Sequence, residues 1–220
     1  MNIKGAIFDM DGTLVDSLGG WEFIYEQIGN KYFGKPLDVP KSLDFAVRTV
    51  TFREATEMIH KEFGADESGD KLYEFTQHLL PYYYEHNATL KEGVTEYLEY
   101  LRKNNVKMCI ASATKKSSIE YCLKKFGIDK YFECVVSCFD IGKSKSFPDV
   151  FIAAHKELGT ELEQTWVFED SLTAIKTASK AGFKTVGIYD KFNYGHDEMK
   201  KIADRYVDEN QTMMDLIENK

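Results

Sequence analysis

The rhythm of apolar and polar positions changes twice along this chain. Ile3, Ala6, Ile7 and Phe8 form a short apolar run that stops at Asp-x-Asp-Gly, the pattern of a buried strand followed by a turn. From Ser17 to Ala88 the period is helical: Trp21, Ile24, Tyr25 and Ile28 recur at i, i+3, i+4 and i+7, followed by Phe52, Ala55 and Ile59 and then by Leu72, Phe75 and Leu79. No strand is expected there. After Gly93 the two periods alternate. Val94, Tyr97, Leu98 and Leu101 form a helical stripe, and residues 106–111, 134–136, 165–168 and 185–188 read as strands, with a weaker one at 205–207. Alternating helices and strands build a parallel sheet, which the strand at 1–8 must join, being too short to stand alone. The predicted fold is therefore α/β: a parallel-sheet core made of residues 1–16 and 89–220, with an inserted all-helical domain at 17–88. Ligand crevices of such sheets lie beyond the carboxyl ends of the strands, so an insertion leaving the core just after Asp9 is expected to act as a lid.

With 220 residues and 43% hydrophobic content, the chain can fill one sizeable core and a smaller second one. Its net charge of -8 opposes non-specific attraction to nucleic acid or to anionic membranes, both of which need a positive face. No apolar run approaches the roughly 20 residues needed to cross a bilayer, and no basic-then-apolar segment precedes the first strand. A soluble cytoplasmic protein is expected, with no oligomeric state specified. Cys109, Cys122, Cys134 and Cys138 lie in apolar or amphipathic segments without a histidine at zinc-ligand spacing, and are expected as buried free thiols. The five histidines form no metal-binding pair, and the run Tyr82-Tyr83-Tyr84 is expected to pack within a helix.

Chemistry gathers where the strands end. Asp9 and Asp11 stand two positions apart at the end of the first strand. Ser112 closes the apolar run before a helix, Glu169 and Asp170 close another, and the loop Lys143-Ser144-Lys145-Ser146-Phe147-Pro148-Asp149 leads into a helix carrying Phe151, Ala154 and Leu158. Each feature taken singly has a plainer use, as a turn, a helix cap, a solvated lysine or an acid at a helix start. Together they are more specific. The stretch Phe8-Asp9-Met10-Asp11-Gly12-Thr13-Leu14-Val15-Asp16-Ser17 resembles the first motif of the haloacid dehalogenase-like superfamily, and the other three stretches follow in the order of its second, third and fourth motifs over nearly the whole chain. The subgroup resembled is that of the phosphoglycolate phosphatases and β-phosphoglucomutases.

That resemblance implies a Rossmann-like core with a helical cap, and a phosphatase acting on a small phosphorylated metabolite. Asp9 would attack phosphorus in line to form an aspartyl-phosphate, while Asp11 would protonate the leaving alcohol and then activate water. Ser112 and Lys145 would bind the phosphate oxygens. Lys145 takes the motif position by lying three residues before Pro148, which leaves Lys143 outside the motif, and Ser146 replaces the family's usual proline. Four acids converging on one crevice would repel one another, and an all-oxygen ligand set suits Mg2+ rather than zinc. The resemblance assigns the metal to Asp9, to the backbone carbonyl of Asp11 and to Asp170, with Glu169 supporting. Arg48 and Arg53 in the cap are candidates for receiving a second anionic group of the substrate. Two alternatives stand beside hydrolysis. A sugar-phosphate mutase is disfavoured because the histidine that resembling enzymes carry five residues after the Asp closing the first motif, Asp16 in this chain, is replaced by Trp21, here a packing residue. A catalytically idle phospholigand binder is disfavoured because Asp9, Asp11, Lys145 and Asp170 are all present.

Overall fold

The computed structural model describes residues 2–48 and 50–218. In chain order the elements are β1 (Gly5–Phe8), β2 (Val15–Asp16), α1 (Gly20–Phe33), α2 (Lys41–Val47), α3 (Phe52–Phe63), α4 (Gly69–Thr76), α5 (Leu79–His86), β3 (Thr89–Leu90), α6 (Val94–Lys103), β4 (Lys107–Ser112), α7 (Lys116–Lys125), β5 (Cys134–Ser137), α8 (Cys138–Ile141), α9 (Asp149–Leu158), β6 (Thr165–Glu169), α10 (Leu172–Lys180), β7 (Lys184–Ile188), α11 (His196–Ile202), β8 (Arg205–Val207) and α12 (Asp215–Glu218). They fall into two compact units, residues 1–16 with 89–220 and residues 17–88.

The first unit is built on a six-stranded sheet in the order β5-β4-β1-β6-β7-β8, parallel throughout. All four residues of β1 are buried, as a central strand covered on both faces requires. Alternate side chains serve opposite layers. Ile7 joins Val150, Phe151, Ala154, Leu158, Ala174 and Ala178 of α9 and α10 in one core, whereas Phe8 stacks on Phe168 with ring centroids 4.3 Å apart, and Phe168 meets Tyr97 of α6. The chain winds outward from β1 through β4 to β5, then crosses back to β6 and winds the other way. Sequence order thus reverses between β1 and β6, and such a switch point opens a crevice at the carboxyl ends of the two strands.

Between Phe8 and β2 the backbone folds tightly. The Leu14 and Val15 N–H groups both donate to the Met10 carbonyl at 2.9 Å, and Gly12 sits at φ +81°, a conformation in which a side chain would be strained. β2 then pairs antiparallel with β3, Asp16 opposite Thr89, so the two ends of the 17–88 insertion leave the core side by side. This small ribbon is absent from the apolar pattern because two residues carry no periodicity.

In the second unit, Ile24, Tyr25 and Ile28 of α1 pack with Val47, Ala55, Ile59, Ala65 and Leu72. Trp21 lies within ring-contact distance of Tyr25 and Phe52. A reciprocal capping box starts α3: Thr51 accepts from the Glu54 N–H, and Glu54 accepts from the Thr51 N–H at 2.8 Å. The expected stripe Leu72, Phe75, Leu79 is split between two helices. Pro81 has no N–H to offer Gln77 and would clash with its carbonyl, so the chain breaks after Thr76 and restarts with Pro81 in the first turn of α5, where proline is tolerated. The cysteine expectation is also corrected. The β4–β5 register sets Cys109 beside Cys134 with Cα atoms 4.9 Å apart, a spacing that permits bridging, and the two are joined as a disulfide; Cys122 and Cys138 are free and buried. Among the described residues no helix is long and apolar enough to cross a membrane.

Phe151 is wholly buried where α9 crosses the sheet. Phe151→Ala should cost about 3–5 kcal/mol, read as a lower urea midpoint with an unchanged slope.

Candidate active site

Parallel register delivers the acids. Phe8 of β1 lies opposite Phe168 of β6, and the Asp9 N–H continues the ladder by donating to the Phe168 carbonyl at 3.0 Å. The next residues on the two strands, Asp9 and Glu169, therefore emerge side by side at the switch point, with Asp170 one step beyond. Asp9, Glu169 and Asp170 each offer a carboxylate oxygen within 4.8 Å of the others, and all three residues are buried.

One ammonium group faces them. The α8–α9 loop carries Lys145 inward, with its side chain only 12% exposed, and its Nζ donates to both Asp9 Oδ1 and Glu169 Oε1. Lys143, two residues earlier, is half exposed and pairs with Asp149 at the start of α9. Of the two loop lysines, only Lys145 reaches the carboxylates.

The charge balance is uneven. Burial raises Asp170 well above the usual carboxylate range, with Asp9 and Glu169 adding to the effect. Burial likewise pushes Glu169 up to about 7 against the opposing pull of Lys145, and raises Asp9, again against Lys145. Burial alone would lower the Lys145 pKa, but Asp9 and Glu169 hold it above the ordinary lysine value. Lys145 is paired with two of the three buried carboxylates, and hard oxygen donors left in excess are the donor chemistry that would suit a divalent cation such as Mg2+.

The remaining predicted residues are distributed around this cluster. Asp11 is not one of the three converging carboxylates; its Oδ2 accepts from Thr114 Oγ1 at 2.7 Å. Ser112 ends β4, is buried, and accepts the Thr114 N–H at 3.1 Å through its own hydroxyl, so Ser112 and Thr114 form one turn. Arg48 and Arg53 belong to the 17–88 unit. The Arg48 side chain is 5% exposed and bound by Asp44 and Glu22, with Nη1 donating to the Leu18 carbonyl at 3.1 Å; Arg53 is largely exposed and pairs with Asp70.

Sequence reasoning passed over three further contacts. Thr13 Oγ1 donates to Asp170 Oδ1 at 3.1 Å, Thr114 holds Asp11, and Asn193 Nδ2 donates to Asp170 Oδ2. Thr13 and Thr114 lie inside two of the motifs, beside the acids and the serine that define them. Asn193 lies in a loop after β7 with no local signal at all.

This geometry can be set beside known proteins. A family model described as haloacid dehalogenase-like hydrolase matches residues 6–188. A phosphorylated carbohydrates phosphatase from Thermotoga maritima is 25% identical over 200 residues, covering 88% of each chain, and an N-acetylmuramic acid 6-phosphate phosphatase from Pseudomonas aeruginosa is 25% identical over 224 residues, covering 99% of this chain and 96% of that one. The crystal structure of a β-phosphoglucomutase from Clostridium difficile superposes with a TM-score of 0.78 at 19% identity, over 98% of this chain and 96% of the other, a likeness of fold. With most of its length matched by that family model, and its carboxylates gathered at the β1/β6 switch point, the chain belongs to the haloacid dehalogenase-like hydrolases.

Proposed function

We propose that this protein is a Mg2+-dependent phosphatase that hydrolyses a small phosphomonoester through an aspartyl-phosphate on Asp9. The observation that carries this reading is the convergence of Asp9, Glu169 and Asp170 at the ends of β1 and β6, with Lys145 paired to the first two. The relatives described above are named as phosphatases of phosphorylated carbohydrates and of an amino-sugar phosphate, and another, from Salmonella typhimurium, as a phosphoglycolate phosphatase, which supports a small phosphorylated metabolite as substrate.

Asp9 supplies the nucleophile: its carboxylate oxygen bonds to phosphorus as the ester oxygen departs. Lys145, already on Asp9 Oδ1, offsets the negative charge of the nucleophile and then of the phosphoryl oxygens gathering beside it. Asp11 donates a proton to the leaving oxygen, and once ionised accepts one from the water that cleaves the acyl phosphate; Thr114 fixes the orientation of the carboxyl for both transfers. Ser112, at the end of the neighbouring strand, contributes a hydroxyl to phosphate binding. Asp9 and Asp170 would hold the metal ion, joined by the Asp11 backbone carbonyl, with Glu169 tying Lys145 to the site. Bound there, Mg2+ would supply charge neutralisation between carboxylate and phosphate. A mutase would need an acid–base group in the helical unit, and Trp21, packed with Tyr25 and Phe52, has none to offer at the position concerned.

Asp9→Asn keeps the shape of the side chain but cannot form the acyl phosphate, so it should abolish release of phosphate from an aryl phosphate in Mg2+ while leaving the circular dichroism spectrum unchanged; substantial residual turnover without deamidation would exclude Asp9 as nucleophile. Lys145→Ala should slow steady-state turnover by roughly 100-fold or more, and Lys143→Ala should be close to silent. The reverse ranking would move phosphate binding to Lys143.

The raised acids also set a pH dependence. A carboxyl whose pKa is higher folded than unfolded binds more protons in the native state, so it contributes to stability at low pH and that contribution falls as pH rises. For Glu169 the window runs from the ordinary 4.5 to about 7. In EDTA, wild-type protein should therefore lose stability relative to Glu169→Gln as pH rises through that window. Thermal melts across the pH range would show parallel curves if Glu169 were not held as an acid.

A further inference from the structure

Asp170 is gripped from two sides by residues that lie far apart in the chain. Thr13 Oγ1 donates to its Oδ1 at 3.1 Å. Asn193 Nδ2 donates to its Oδ2, and also to the backbone carbonyl of Asp170 at 3.1 Å. A carbonyl oxygen and a carboxylate oxygen only accept, so the amide must turn its NH2 toward Asp170. The loop that carries Asn193 is itself anchored. The Asn193 N–H donates to the Asp190 carbonyl at 3.0 Å, and the Phe192 N–H donates to Asp190 Oδ1 at 2.9 Å. Asp190 Oδ2 pairs with Lys91 Nζ at 2.8 Å, and Lys91 also donates to the Tyr189 carbonyl at 2.8 Å. The side chains of this pair are 19% and 3% exposed, so the anchor is shielded from solvent screening. A continuous line of polar contacts thus runs from Lys91, just after β3, through the 189–193 loop to Asp170.

Such an anchor answers a particular need. Asp170 shares a buried site with two other carboxylates, and like charge favours its rotating away or taking up a proton. Donors on both carboxylate oxygens oppose each escape while leaving lone pairs for a further ligand. Asn193 is neutral across the physiological range and contacts no group that changes covalently.

We infer that Asn193 is a positioning residue that fixes the Asp170 carboxylate for divalent-cation binding, with the Lys91–Asp190 pair holding the Asn193 loop in place. This role rests on the Mg2+-dependent reading above.

The test is calorimetric titration of Mg2+ into metal-free wild type, Asn193→Leu, Asn193→Ser, Lys91→Met and Asp170→Asn, together with the Mg2+ dependence of aryl phosphate turnover. Both Asn193 variants should bind Mg2+ about 10–100-fold more weakly, the range found for lost supports of a metal ligand. Their half-saturating Mg2+ should rise by the same factor, with a smaller change in kcat at saturating Mg2+. Lys91→Met should shift affinity in the same direction by less. Leu keeps the branching of Asn without its polar atoms and Ser keeps the loop polar, so a folding defect in one leaves the other to read. Wild-type Mg2+ affinity in a folded Asn193 variant, or a loss confined to kcat, would overturn the positioning role alone. Absence of Mg2+ binding in wild type, or binding undisturbed in Asp170→Asn, would overturn the functional reading and this inference with it.

Discussion

Three carboxylates buried side by side, two of them paired with one ammonium group, form the constraint on which the rest of the structure turns. Asp9, Glu169 and Asp170 meet at the carboxyl ends of two neighbouring strands, the first two paired with Lys145, and a site so rich in negative charge is stable only if the groups are held where each finds a partner. The sheet supplies that rigidity. β1 is central, covered on both faces and in register with β6, so its end cannot shift without disturbing two cores at once. Lys145 provides part of the balancing charge, and hydrogen bonds from Thr13 and Asn193 spread the load on Asp170. The negative charge left over is what would favour a cation there.

The loops divide the work by reach. The segment 9–14 returns on itself through Gly12, which lets it present Asp9, Asp11 and Thr13 in different directions: Asp9 to Lys145, Asp11 to Thr114, Thr13 to Asp170. The two threonines are small donors placed on acids whose orientation matters. Within the helical unit, Arg48 has an analogous but internal role. It ties Glu22 of α1 and Asp44 of α2 to the Leu18 carbonyl, while Tyr25 adds its hydroxyl to Asp44 at 2.9 Å.

Much of this was legible from residue order alone, because the determining interactions are local. A buried parallel strand must be an apolar run, a helix on its surface must show a 3.6-residue stripe, and acids that follow such a run must emerge at the carboxyl edge of the sheet. Hence the strands ending near Phe8, Ser112 and Glu169, the helical stretch 17–88, the four motifs and the spacing of Lys145 from Pro148 could all be read without coordinates. Only tertiary structure decided the rest. Which strands are neighbours, and so which acids converge, depends on a sheet order that crosses back from β5 to β6; the same register decided that Cys109 meets Cys134. The break between α4 and α5 had a local cause, Pro81, outweighed in the reading by an unbroken apolar stripe. Asn193, Lys91 and Asp190 left no trace in the pattern, since a polar residue in a loop looks the same whether it faces water or grips a carboxylate 23 residues away. Sequence fixes what each short segment prefers, but a contact between distant segments exists only once the chain has closed around it.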